Sequence, residues 1–412
     1  MELRPCLRAL DLQPWSEGGD DGVLLTDPEG LFDGQVFVPR GLIPVLATFN
    51  GAATCEEIAR QLSSRHGQAI SADAVRKIAD DLDRGLCLEG ERARGAKAEK
   101  RAAWDRLEAR PARHAGSAGY PANPAACRAR LDGIVERRDV TRSTRSAAGL
   151  IAPHIDLARG EDGYGAAYGW LAGTAPADLY VLFGTSHCCP PAGPSSAPNF
   201  LVPTRKDFVT PLGTLATDRE FVDAVAAALG PAPFAHEMLH GNEHSLEFQV
   251  LFLRHVLGER PARIAPFLTG HLGAAPDQDA QVQRVVAAIA AVALEREHAG
   301  ARVVFVAGAD LSHQGPFFGD PEPVGDRLLA NIDERDRASL ALVAEGRAAQ
   351  FVEHVEGDGN TRRICGTAPI YWTTRLVQAV HGVGSGHVLD YGQAVASDRS
   401  QVVSYAAVAY AR

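Results

Sequence analysis

The chain of 412 residues contains no apolar run approaching the roughly 18–20 residues that a membrane-spanning helix needs. Its first segment, MELRPCLRALDLQPWSEGGDDG, lacks both a continuous apolar stretch and a cleavage signal, which predicts a cytoplasmic protein with no membrane partner. A basic excess is also missing. Lys+Arg number 41 against 51 Asp+Glu, a formal charge of -10, and no basic cluster is denser than the short KAEKR stretch. Nothing here would track a phosphate backbone, so no nucleic-acid partner is expected. Cysteine is sparse and odd in number, seven at irregular spacing, which excludes a disulfide framework and points to reduced thiols, some of them chemical. Internal repeats and low-complexity segments are absent. GVGSGH at 382–387 lacks the full spacing of a phosphate-binding loop and reads as a turn. What is present, 46% hydrophobic and 22% charged residues, is an ordinary globular composition long enough for two or three domains and a large core.

Three segments follow from the patterning. Residues 1–92 read as a small helical unit with a β element in front. Thr54 and Glu57 have the spacing of a capping box, followed by Ile58 and Leu62 on one helical face. A second helix is predicted from Ser71, with Val75, Ile78 and Leu82 on one stripe and Gly85 closing it, and the alternating Leu86 and Leu88 then suggest a short strand. Two helices followed by a strand pair outline a winged helix. Residues 93–111, rich in alternating charge and alanine, read as a solvated connecting helix. From 112 to 412 the texture changes to apolar runs, such as AAGLIAPHID, ADLYVLFGTSH, ARIAPFLTG and ARVVFVAGADLSH, separated by helices such as EHSLEFQVLFLRHVLG with Leu246, Val250, Leu253 and Leu257 on one face. Continuous apolar strands alternating with helices predict an α/β fold with a mostly parallel central sheet covered on both sides, whose function sits at the carboxyl ends of the strands.

Those ends share one residue type. LIAP runs into His154, LYVLFGTS into His187, and VVFVAGADLS into Asp310 and His313. Taken singly, each imidazole reads as a hydrogen-bonded structural residue; as a set they read as a converging site for one ion or substrate. Cys365, in RRICGTAP, lies in an arginine-rich approach just before a Gly and a helix start, where positive charge and the helix dipole favour a thiolate. Alone it would read as a small buried hydrophobe. A site of imidazole and thiol donors suits iron, zinc or copper better than magnesium or calcium. Glu243, His244 and Glu247 open an amphipathic helix and face either solvent or the pocket, the two glutamates serving equally well as favourable charges at a helix N-terminus. Asp156 and Asp310 could orient an imidazole or ligate directly. Cys188 and Cys189 adjoin His187, and only one of them could face the pocket.

At these residues the chain resembles the Memo family, including the group called AmmeMemoRadiSam system protein B. The resemblance runs from about residue 112 to the end. HAGSAGYPANP at 114–124 is similar to AGSFYP-x-DP, APH to PH, GTSH at 184–187 to GPSH, and TPLG and EHSLE to the same strings. GADLSHQG and ICGTAPI are similar to SSDFCHWG and ICG-x-PI. That resemblance implies a fold like the class III extradiol dioxygenases, with His154, His187 and Cys365 as metal ligands, and with Asp310 and His313 as further ligands or, for His313, as the proton-transfer residue. Fe(II) is the metal first implied, with copper or zinc as alternatives. Departures fall in the pocket wall: PHAGY reads PHIDL here, the second His of PSHH is Cys188, and a Trp is replaced by Gln314. Cys365 stands where the dioxygenases use a carboxylate. The N-terminal strings FNGAATCEEIARQL and VRKIADDLDRGLCLEG resemble PqqD-like winged-helix domains, which bind peptides or partner enzymes.

Three functions compete on this reading. The first is a redox-active iron or copper protein, an oxidoreductase using O2 on an unknown small molecule or peptide. The second is a metal-free hydrolase or transferase with Cys365 as nucleophile, His313 as base and Asp310 as its orienter. The third is a non-enzymatic adaptor that retains a metal or docks companions. The resemblance implies an AMMECR-type protein and a radical S-adenosylmethionine enzyme as those companions.

Overall fold

The computed structural model describes residues 3–17, 20–117, 119–136, 146–187 and 200–412. The chain divides into two compact units, Met1–Leu107 and Glu108–Arg412.

In the first unit, strands Asp11–Glu17, Asp20–Thr26 and Gln35–Pro39 form an antiparallel meander ahead of three helices, Cys55–His66, Ala72–Arg84 and Glu91–Asp105. The expected caps are present. The Thr54 hydroxyl accepts from the Glu57 amide while the Glu57 carboxylate accepts from the Thr54 amide, and Ser71 accepts from Ala74. Leu25, Val38, Phe49, Ile58, Leu62, Val75 and Leu82 share one core. The predicted strand pair after the second helix does not form among the described residues. Leu86 turns through a positive φ of 58°, and Leu88 makes only an isolated bridge to Leu7 before the chain enters the third helix. The sheet of this unit therefore precedes its helices. The predicted connecting helix forms, with Ala93 and Trp104 buried in it.

In the second unit, four parallel strands lie side by side in the order Ala147–Ala152, Val303–Gly308, Leu179–Thr185, Arg263–Thr269. Side-chain alternation explains why their sequences are apolar throughout. Leu179, Val181 and Phe183 enter one core with Trp372 and Phe351, whereas Tyr180 and Leu182 enter another with Phe248 and Phe252. Beyond this central block the sheet is mixed rather than mostly parallel. Val402–Ala411 runs antiparallel to Ala147–Ala152 and carries Asp310–Gln314 and His387–Val395, also antiparallel. On the far side Gly213–Thr217 is parallel to Arg263–Thr269 and antiparallel to Asp207–Thr210. No helix among the described residues is long and apolar enough to cross a membrane.

Two glycines set the geometry of the strand ends. A Cβ on Gly308 would lie 2.4 Å from the Ser245 carbonyl oxygen, and one on Gly184 would lie 2.6 Å from the Ser245 hydroxyl. Their absent side chains let the N-terminus of helix Ser245–Leu257 rest directly on the sheet, at the edge where His154, His187 and Asp310 emerge. Leu246, Val250, Leu253 and Leu257 are buried as predicted, and so are Phe248, Leu251 and Phe252.

Candidate metal centre

His154 follows strand Ala147–Ala152 directly, and its environment fixes the ring. Its Nδ1 lies 2.9 Å from the Gly308 carbonyl, which can only accept, so Nδ1 carries the hydrogen and Nε2 presents its lone pair. That nitrogen points at Cys365 Sγ, 3.1 Å away. The His154 backbone amide donates to Asp310 Oδ1 at 2.9 Å, and Asp310 Oδ2 lies 3.6 Å from Nε2.

His187 follows Leu179–Thr185 and is fixed by the same logic with a different partner. Its Nδ1 donates to Glu243, 3.0 and 3.1 Å from the two carboxylate oxygens, and its amide donates to Glu243 as well. Glu243 also accepts from the amides of His244 and Ser245, at the start of the helix. Glu243 thus takes amide hydrogens at the helix start and holds the Nδ1 hydrogen of His187 at once. Burial pushes its carboxyl up, but the rings of His187 and His244 and these amides outweigh burial and hold it well below the usual range.

Cys365 comes from the opposite side of the chain, one residue before the Gly366 cap of helix Thr367–His381. The ligand-type atoms of His154, His187 and Cys365 all lie within 4.8 Å of one another. That is the scale of two metal–ligand bonds of about 2.0–2.3 Å, and two imidazole nitrogens with a sulfur are a fitting donor set for iron, copper or zinc. Burial raises the Cys365 thiol, yet His154 and His187 overrule it and bring the thiol down to about 7. His187 moves the other way: burial disfavours its charged form, while Glu243 and Cys365 hold it well above its ordinary value. The two shifts favour a proton on His187 and its loss from Cys365, and a cation entering the cluster would compete with protons for these atoms. The arginines expected to stabilise the thiolate go elsewhere. Arg362 pairs with the buried Asp336 at 2.7 Å, and Arg363 pairs with Asp320 at 2.7 Å.

The remaining predicted residues divide. His244 stacks on His187 with ring centroids 4.8 Å apart and meets His154 edge-on at 5.4 Å. Burial first, and the neighbouring imidazoles next, push it down to about 3 against the pull of Glu243. With His187 and Glu243 it forms a second possible donor group. Asp310 is buried beside His154, and burial raises its carboxyl. His313 comes near the centre from a separate short strand, within electrostatic range of Asp310 and His187. The expected single strand breaks after Gly308, and His313 lies inside Asp310–Gln314, with Nδ1 bonded to the Leu311 carbonyl and its ring against Phe318. It belongs to neither donor group found among the described residues. Asp156 is elsewhere, closing a turn with Arg159. Glu247 faces away from the centre and forms a buried pair with Arg110 at 2.5 Å. Cys188 and Cys189 lie outside the described residues.

Sequence reasoning missed two things. His114, whose ring lies 5.8 Å from that of His244, was signalled only by its place in the HAGSAGYP segment. A cavity of about 260 Å³ beside His187 and Cys365, lined in part by His271, Glu356 and Asn360, had no local signal.

Residues 110–409 match the family described as Memo-like protein. The whole chain is similar to a MEMO1 family protein of Aquifex aeolicus, 26% identical over 409 residues, covering 99% of this chain and 100% of the relative. A MEMO1 family protein of Thermus thermophilus is 28% identical over 82% of this chain and 94% of its own length. One from Methanopyrus kandleri is 28% identical over 71% of this chain and 96% of its own.

Proposed function

The chain belongs to the Memo-like family, and on that premise we propose that its second unit is a metalloprotein holding an ion through His154, His187 and Cys365: redox-active iron(II) first, or copper, with redox-inert zinc as a further alternative. The observation that carries this reading is the convergence of the His154 and His187 rings, whose Nδ1 atoms are held by the Gly308 carbonyl and by Glu243, on a thiol brought down to about 7. When bound, iron or copper supplies electron transfer and oxygen chemistry. The residues of the chain do the rest. Gly308 and Glu243 keep the Nδ1 hydrogens in place, and Asp310 fixes the His154 backbone. His244 lies against both imidazoles, while His313, within electrostatic range of Asp310 and His187, is the residue assigned to proton transfer. The substrate is a small molecule or peptide side chain. The pathway is a multi-protein modification system containing an AMMECR-type protein and a radical S-adenosylmethionine enzyme, and the first unit docks a companion. Elemental analysis of protein purified without added metal tests the core of this reading. Near-stoichiometric iron or copper, lost in both His154→Ala and Cys365→Ala, supports it; metal retained in both variants overturns it.

The contact between His154 Nε2 and Cys365 Sγ favours one second reading, a cysteine nucleophile with a histidine base. The base in that case is His154, oriented by the Gly308 carbonyl, and not His313 with Asp310. Rapid labelling by iodoacetamide at neutral pH, unchanged by chelator, would select this reading.

A further inference from the structure

We propose that the cavity beside Cys365 receives a small cationic molecule with an apolar body, and that Glu356 is the group that holds its ammonium. This deepens the preceding section and rests on its reading of Cys365 and His187 as the reactive edge of the site.

Glu356 is an unfavourable residue for its position unless a cation joins it. It is the last residue of helix Ala348–Glu356, where the negative end of the helix dipole already lies. Its side chain is only 16% exposed, and its ion-pair partner His271, 3.9 Å away, is 69% exposed and screened by solvent. An ammonium in the cavity would meet both the carboxylate and the helix terminus.

The cationic group that an anion could meet at the reactive edge of the cavity, His187, is already paired with Glu243. The described residues lining the cavity include no lysine or arginine. The hydroxyls of Thr185, Thr269 and Thr367 donate to the carbonyls of Cys365, Gly184 and Ile364, each at 3.0 Å. Asn360 spends both ends of its amide on the backbone of Ile364. These side-chain donors are therefore committed within the protein. Leu272 and Val352, both buried, supply apolar wall. At about 260 Å³ the space is below the range of drug-sized pockets and equals the liquid volume of roughly nine waters.

Calorimetric titration of the full-length protein as purified, with its metal content determined, tests this. The probes are benzylamine, benzyl alcohol and benzoate, which share one ring and differ in charge. Benzylamine is expected to bind at least tenfold more tightly than the other two. Glu356→Gln should remove that preference while leaving the metal content unchanged, and His271→Ala, which clears the ring from beside the carboxylate, should not weaken benzylamine. Equal binding of the three probes, no binding of benzylamine, a preference that survives Glu356→Gln, or weaker benzylamine binding in His271→Ala would each overturn the proposal. Protein that carries no metal yet keeps a Glu356-dependent preference for the amine would overturn the metal reading alone.

Discussion

Replacing Glu243 by glutamine separates the orientation of His187 from the integrity of the fold. The carboxylate takes four hydrogens in the structure, two from His187 and one each from the amides of His244 and Ser245. Glutamine keeps the size but offers a single carbonyl oxygen, and its amide end would face donors. Two costs follow, and they read out differently. Loss of helix-start capping is worth about 1 kcal/mol of stability. In a unit of this size that is a fall of roughly 2 °C in the Tm of metal-free protein. Loss of the anchor behind a ligating imidazole typically weakens metal affinity by about 10–100-fold, which is about 1.4–2.7 kcal/mol. The assay is a competition titration of cobalt(II) or iron(II) against a chromogenic chelator, run beside thermal melts with chelator in excess. The reasoning fails if metal affinity is unchanged, or if Glu243→Gln weakens it no less than His187→Ala does.

The other expectations are as follows. In metal-free protein the rate of Cys365 alkylation should rise with a midpoint near pH 7, since its folded value is brought down to about 7; His154→Ala should move that midpoint upward, and a shift downward would contradict the assigned cause. Metal affinity should fall as pH drops below this midpoint, because proton and cation compete for the sulfur, and a pH-independent affinity would sink the thiolate assignment. Gly308→Ala should destabilise by about 1–3 kcal/mol in urea denaturation through overpacking against Ser245, whereas a neutral effect would show that the helix can retreat. Arg110→Ala should cost about 3–5 kcal/mol by stranding the buried Glu247, and replacing both by apolar residues should recover part of that loss, as measured in the same assay.

The central strands were legible because they are buried on both faces, so their apolar runs are long and bounded by Gly and Pro. The helix start at Thr54 was legible because its cap is purely local. His154, His187 and Cys365 could be named because two emerge directly from such strands and the third precedes a helix cap. The illegible parts depend on pairing across the chain. The break that sets His313 on a separate strand follows from the pairing of Asp310–Gln314 with Val402–Ala411, some ninety positions away, which no local pattern reports. The destinations of Arg362 and Arg363 were hidden likewise, since an arginine beside a cysteine in sequence says nothing about the buried aspartate that claims it. The first unit misled because Leu86 and Leu88 alternate like a strand while a positive φ at Leu86 forbids one.

His154 and Cys365 stand 211 positions apart and meet at 3.1 Å, yet each is also placed by its own surroundings, the ring by the Gly308 carbonyl and the cysteine by the start of helix Thr367–His381. Nothing in this arrangement waits for an ion to bring the polypeptide together, unlike small zinc modules that are shapeless until loaded. On the proposed reading, an ion would enter a pocket already shaped by the polypeptide, so supply and exchange rates would decide which element resides there, and mismetallation more than unfolding would be the failure to expect.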